Sequence, residues 1–126
     1  MDKPSILIVD SDTDLSGILS KRFSSAGWNV KTAKDLKHTD KELKKKVFKV
    51  ILFDPDTDVD SAVFLTALQK NKNAKAAIKI IHANPSNRAT ILELENSGKD
   101  ILWLKGSISL SDIVKKTKIF FDSKNQ

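Results

Sequence analysis

The sequence predicts an α/β domain built on a doubly wound, five-stranded parallel sheet. Three observations carry that prediction. Short apolar runs recur along the chain at Ile6-Leu7-Ile8-Val9, Val50-Ile51-Leu52-Phe53, Ile80-Ile81 and Ile101-Leu102-Trp103-Leu104. Runs of this length read as strands buried on both faces. Segments with helical spacing of apolar residues alternate with them, which is the pattern of a parallel sheet with crossover helices. The runs also stop on single polar residues, at Asp10, Asp54, His82 and Lys105 in turn. In an open parallel sheet the carboxyl ends of the strands lie on one edge, and ligands bind there. Two carboxylates, an imidazole and an ammonium are therefore expected at one place.

The first strand covers Ser5 to Val9. Ser11-Asp12-Thr13-Asp14 follows and offers helix N-cap side chains. Leu15, Ile18, Leu19, Phe23 and Ala26 then form the apolar stripe of the first helix, and Gly27 ends it. Trp28 to Ala33 is the second strand, polar enough to be an edge. In the lysine-rich segment after it, Thr39 or Asp40 caps a short helix that runs through Val47. Val50 to Phe53 is the third strand, and Pro55 to Asp60 is a loop. A helix from Ser61 puts Val63, Phe64, Ala67 and Leu68 on one face and ends at Asn71 to Asn73. The fourth strand is Ile78 to Ile81, followed by turn chemistry at Asn84-Pro85-Ser86-Asn87. A helix bearing Ile91, Leu92 and Glu95 closes at Gly98, and Ile101 to Leu104 is the fifth strand. Ser109 caps a last helix bearing Leu110, Ile113, Val114, Thr117, Phe120 and Phe121. The tail from Asp122 to Gln126 is polar and expected to fray. A polar second strand and apolar first, third and fifth strands fit the flavodoxin-like (βα)5 order 2-1-3-4-5. Its switch point lies between strands one and three and makes Asp10 and Asp54 neighbours.

The chain of 126 residues has the size of one domain, with a core expected over residues 5–121 and a polar tail over 122–126. It has no cysteine, so disulfides, thiolate metal sites and cysteine nucleophiles are excluded. Its first residues carry no signal-peptide pattern, and no apolar run approaches the roughly 20 residues that span a bilayer. The expected setting is the cytoplasm, away from the membrane. The net charge is +6, with much of the excess between Lys31 and Lys49. Arginine occurs only at Arg22 and Arg88. Arginine is the usual reader of bases and phosphates, so a lysine face is expected here rather than a nucleic-acid site.

Two carboxylates on one strand edge repel each other and call for a cation. Magnesium favours one or two carboxylates, a carbonyl and several waters. Asp10 and Asp54 would supply the carboxylates, Asp56 a carbonyl, and Asp12 a further ligand. Lys105 adds a fixed positive charge. An aspartate flanked by magnesium and a lysine is a plausible phosphoryl acceptor, because both cations neutralise charge on the transferring oxygens. His82 is expected to be hydrogen-bonded to Asp54 or Asp10; the alternatives are a phosphohistidine or a metal ligand. No glycine-rich loop is present to favour a nucleotide site.

The runs ending at Asp10 and Asp54, together with Lys105, resemble the receiver domain of bacterial response regulators. The resemblance extends from Ile6 to about Phe121 and includes Ser97-Gly98-Lys99-Asp100 before the last strand. It implies that Asp54 is the phosphoacceptor, Asp10 a magnesium ligand and Lys105 the phosphoryl-pairing lysine. It also implies a protein partner, with a histidine kinase as phosphoryl donor, and a switch through the fourth helix, fifth strand and fifth helix. Several positions depart from that pattern. Ser11 replaces the second acid, and a hydroxyl is a poor ligand for a hard dication. His82 occupies the switch threonine or serine position. Gly106 replaces a proline after the lysine, and Pro55 removes a backbone N–H after Asp54. Leu102 stands where many members carry a tyrosine or phenylalanine. A histidinium at position 82 would stand in for the missing magnesium. The sequence therefore suggests an atypical, pseudo-receiver variant in two-component signalling: a protein-interaction module with impaired phosphorylation, not an enzyme beyond any self-catalysed aspartyl phosphorylation. The alternative is a functional receiver phosphorylated on Asp54 with Mg2+. Trp103 and the Ile108 to Val114 region are the expected contact residues, and the lysine-rich second helix is a second, electrostatic contact.

Overall fold

The computed structural model describes residues 3–53, 67–68, 70–74, 76–82, 100–104 and 108–124, with the backbone alone at positions 82 and 103. Strand β1 (Ser5–Val9) leads to α1 (Thr13–Ser25), β2 (Asn29–Ala33), α2 (Leu36–Lys45), β3 (Val50–Phe53), β4 (Ile78–His82), β5 (Ile101–Leu104) and a C-terminal helix (Leu110–Lys124). The strands form one parallel sheet in the order β2-β1-β3-β4-β5. The expected order 2-1-3-4-5 is thus observed. The predicted helices between Ser61 and Asn73 and between Ile91 and Gly98 lie wholly or largely outside the described residues.

Every residue of β1 and β3 is buried, which is why their sequences are continuous apolar runs rather than alternating ones. Their side chains divide between two cores. On one face Leu7, Val9, Ile51, Phe53 and Ile81 pack with Leu43 and Phe48 from around α2. On the other, Ile6, Ile8, Val50, Leu52 and Ile80 pack with Leu19 and Phe23 of α1, Trp28, and Ile113 of the C-terminal helix. Trp28 joins the two helices of that layer. Its ring meets Phe23 at 5.8 Å and Phe121 at 5.2 Å between centroids, both edge-on, a geometry worth about 0.5–1.5 kcal/mol per pair beyond area burial.

The helix ends follow local chemistry. The Asp12 carboxylate accepts the N–H groups of Asp14 and Leu15 and starts α1. At the other end Gly27 adopts φ +97°, the left-handed conformation that closes a helix and that glycine takes without Cβ strain. Helix α2 starts earlier than expected. Asp35, not Thr39 or Asp40, is the cap, and its carboxylate accepts the His38 N–H at 2.8 Å. Thr39 is instead fully buried inside the helix, with its hydroxyl donating to the Asp35 carbonyl at 2.8 Å. The helix also stops at Lys45, before Val47, because Phe48 turns into the core. Strand β2 begins at Asn29, since Trp28 belongs to the turn after Gly27. The C-terminal helix continues to Lys124 through the expected tail, where Lys118 and Asp122 bridge at 2.8 Å one turn apart. On α1, Leu19 and Phe23 are buried, but Ile18 and Ala26 face water. Ser16 replaces them on the inner side, because the stripe follows the i, i+4 row from Leu15 through Leu19 to Phe23. No described helix is long and apolar enough to cross a membrane.

Candidate functional site

The register of the sheet sets the geometry of its carboxyl edge. Val9 pairs with Phe53, Phe53 with Ile81, and His82 with Leu104. Asp10 and Asp54 therefore follow the two members of one cross-strand pair. Lys105 follows the residue paired with His82. The strands that carry the four polar stops thus end at a common edge, as the run pattern predicts. Asp54, Pro55, Asp56, Lys105 and Gly106 themselves lie outside the described residues, as does the His82 side chain.

The described part of the site is the β1–α1 connection. Asp10 is 5% exposed. Its N–H donates to the Ala33 carbonyl at 2.9 Å, tying the edge of β1 to the end of β2. Its carboxylate accepts the Asp12 N–H at 2.8 Å. This Asx-type turn aims the chain into α1 and fixes the carboxylate at the strand end. Ser11 is exposed. Asp12 is exposed too, and one of its oxygens accepts two helix N–H groups at 3.1 Å each. Among the described residues, no three His, Asp or Glu side chains gather into a metal-binding set. The donors described for a cation at this edge are the Asp10 carboxylate, the Ser11 hydroxyl and the Asp12 oxygen that does not cap the helix. Magnesium prefers carboxylates in near-ideal octahedral placement. This set fits it with one well-placed carboxylate, to which the chain adds Asp54 by sequence.

One ionisable group in the sheet escaped the sequence reading. Lys79 sits in the middle of β4 and is 1% exposed. It pairs with Ile51 on one side and Ile101 on the other. Burial pushes its ammonium below the ordinary lysine value, and Asp100 partly opposes that shift. The signal was available: a lysine interrupts an apolar run that otherwise reads Ile78, Ile80, Ile81.

At the far edge of the sheet, a cavity of about 480 Å³ opens beside β5 and the C-terminal helix. Leu102, Leu104, Ile108 and Phe120 give it apolar walls, with Lys116, Ile119 and Ser123 on the helix side. Ile119 is 63% exposed. Within the expected contact region Ile108 to Val114, Ile108 lines this cavity. Ile113, by contrast, is fully buried against α1 and the sheet and is a core residue. Helical periodicity turns Ile113 inward and Lys116 and Ile119 outward. The Trp103 side chain lies outside the described residues.

A five-stranded parallel sheet in this order with helices on both faces is the flavodoxin-like arrangement that receiver domains of response regulators share. The solved structures bear this out. A CheY-like response regulator receiver domain protein from Methanospirillum hungatei superposes with a TM-score of 0.83 at 21% identity, covering 98% of each chain. A two-component response regulator from Clostridium difficile gives 0.80 at 20% identity, over 98% of this chain and all of that one. The chemotaxis response regulator CheY4 of Vibrio cholerae gives 0.78 at 20% identity, over 94% of this chain and 98% of that one. No protein-family model matches the sequence, and no curated protein matches it.

Proposed function

We propose that this chain is an atypical receiver domain of two-component signal transduction, working in the cytoplasm as a protein-interaction module with impaired phosphorylation at Asp54. The observation that carries this reading is at the β1–α1 connection. The second acid of the receiver pattern is Ser11, and the next acid, Asp12, is engaged as the cap of α1. Moving Asp12 onto a metal would leave two helix N–H groups without their acceptor, at about 0.5–2 kcal/mol. His82 in place of a small hydroxyl residue supports the same reading. Lys105 retains the phosphoryl-pairing position, and a histidine kinase is the corresponding donor for any residual transfer.

The partner site is the face of β5 and the C-terminal helix. Its support is the cavity described above, which combines apolar walls with the exposed Ile119 and the cation Lys116. A pocket of this kind accepts one or two apolar side chains from a partner, and such anchors supply most interface energy.

The alternative is a working receiver that takes a phosphoryl group on Asp54 with Mg2+. It is favoured by the burial of Asp10 beside the strand that leads to Asp54. Incubation with magnesium and a small phosphoryl donor, followed by intact-mass measurement, separates the two. The proposed reading expects little or no mass gain in the native chain. A full gain of one phosphoryl group, lost in Asp54→Asn, establishes the alternative. Ser11→Asp restores a second carboxylate, and higher ligand charge raises affinity for a hard cation. Its Mg2+ affinity is expected to exceed that of the native chain; equal affinities would show that Ser11 is not the missing ligand.

A further inference from the structure

We propose that the outer face of α2 is a docking site for an acidic protein surface, separate from the cavity beside the C-terminal helix. The segment from Lys31 to Lys49 holds eight lysines against Asp35, Asp40 and Glu42. It therefore carries +5 of the chain's net +6, leaving +1 for all other residues. All eight lysines are exposed. Lys31 has a separate role, because a lysine on the open edge strand β2 deters strand-to-strand association. The rest follow α2. Lys37, Lys41 and Lys44 recur at i, i+4 and i+7 and make a stripe about 10 Å long on the side opposite the buried Thr39 and Leu43. Lys34 precedes the helix, and Lys46 follows it with its ammonium 5.6 Å from the Phe48 ring centroid.

The nearby acids do little to neutralise this face. Asp35 is spent as the helix cap. Glu42 is largely buried and reaches only Lys45, at 3.8 Å. Asp40 lies one turn from Lys44, yet among the described residues it closes no ion pair. Like charges at i, i+3 and i, i+4 destabilise a helix. Solubility asks only for interspersed charges of both signs. A one-sign stripe that weakens its own helix is better explained by a complementary anion.

The chemistry selects a protein over the other polyanions. No arginine lies in the segment; Arg22 is on α1, bonded to Ser111. The guanidinium fork suited to phosphates and bases is thus missing. A membrane-binding helix buries an apolar face in the lipid, but the apolar side of α2 is already in the core. Only Val47, at 58% exposure, offers an apolar contact. Its exposure is built in: Phe48 anchors in the core, and the Lys49 N–H donates to the Ser5 carbonyl at 3.0 Å. Val47 adds one apolar contact to a face whose attraction for an acidic partner is electrostatic.

The test is binding of labelled poly-L-glutamate by fluorescence anisotropy at low and moderate salt. Two triple variants of equal net charge are compared, Lys37→Glu/Lys41→Glu/Lys44→Glu and Lys3→Glu/Lys21→Glu/Lys115→Glu. The stripe variant is expected to lose at least about tenfold in affinity, equivalent to ~1.4 kcal/mol, and the control under about threefold. The neutral triple Lys37→Gln/Lys41→Gln/Lys44→Gln, free of repulsion from new acids, is expected to weaken binding in the same direction. Equal losses in stripe and control variants, or no binding at low salt, would overturn the proposal. So would tighter binding to duplex DNA or to phosphatidylserine-containing vesicles than to poly-L-glutamate.

Discussion

Raising the pH toward the lysine range should stabilise the native protein relative to a Lys79→Met variant. Lys79 is enclosed on β4 between Ile51 and Ile101, and burial holds its ammonium below the ordinary value of 10.5, with Asp100 opposing. In the unfolded chain the amine returns to that ordinary value. Between the two values the unfolded chain binds more protons, so the free energy of unfolding rises with pH there, by up to about 1.4 kcal/mol per pH unit. Below the folded value both states are charged, and the full penalty of burying the cation is present. Above 10.5 both are neutral and the penalty is gone. The whole swing is about 1.4 kcal/mol for each pH unit by which burial lowers the amine. Methionine has a similar unbranched shape and does not titrate, so the variant lacks this component. Urea unfolding of both proteins from about pH 7 to about pH 10 measures it, and the exposed lysines cancel in the difference. The native-minus-variant difference should climb with pH. Parallel profiles would refute the reasoning, because they would mean that the Lys79 amine reaches water or an anion strong enough to offset its burial.

Other perturbations follow from single contacts. Thr117 is fully buried on the C-terminal helix, and among the described residues its hydroxyl has no hydrogen-bond partner. Thr117→Val keeps the shape, removes the unmet polar group, and should raise stability by about 1–2 kcal/mol in calorimetry. Asp12→Ala removes the α1 cap and should cost about 1 kcal/mol, while Asp12→Asn, an equally good cap, should cost no more than a few tenths. Equal losses would show that charge at position 12, not capping, supports the helix.

The fold was legible because its information is local and redundant. β1 and β3 are apolar at every position since both faces of each are covered, and a run of that kind has few other readings. The edge position of β2 was equally legible in its alternation of exposed Asn29 and Lys31 with the half-buried Val30 and Thr32. The start of α2 was not. Thr39 and Asp35 are both good caps by composition, and what decides between them is tertiary: Thr39 sits over the sheet, where its hydroxyl must bond the Asp35 carbonyl. Ile18 and Ile113 show the same limit, since an apolar residue in a helix declares that some face is buried but not the angle at which that face meets the sheet. At the site, the sequence gathered the polar stops because parallel strands must end on one edge. It could not allot the acids. Asp10 and Asp12 are two residues apart and chemically identical, and only hydrogen bonding separates a carboxylate held at the strand end from one held by a helix.

That separation links the proposed loss of phosphoryl chemistry to a gain in rigidity. Where a second acid coordinates a metal, the β1–α1 turn must keep that carboxylate free and tolerate its repulsion from Asp10 whenever the metal is absent. With Ser11 exposed and Asp12 capping α1, the turn is satisfied without a cation: Asp10 accepts from Asp12, and Asp12 accepts from Asp14 and Leu15. On the proposed reading, the β1–α1 turn then needs no bound magnesium for its shape. Were the domain to present the cavity beside the C-terminal helix and the lysine stripe of α2 to other proteins, as proposed, it would benefit from such independence. It keeps one surface whatever the state of the site. Ser11→Asp tests this trade directly. By reintroducing repulsion beside Asp10 it should lower stability in metal-free buffer and recover it on magnesium addition, whereas the native chain should respond to magnesium little in either direction.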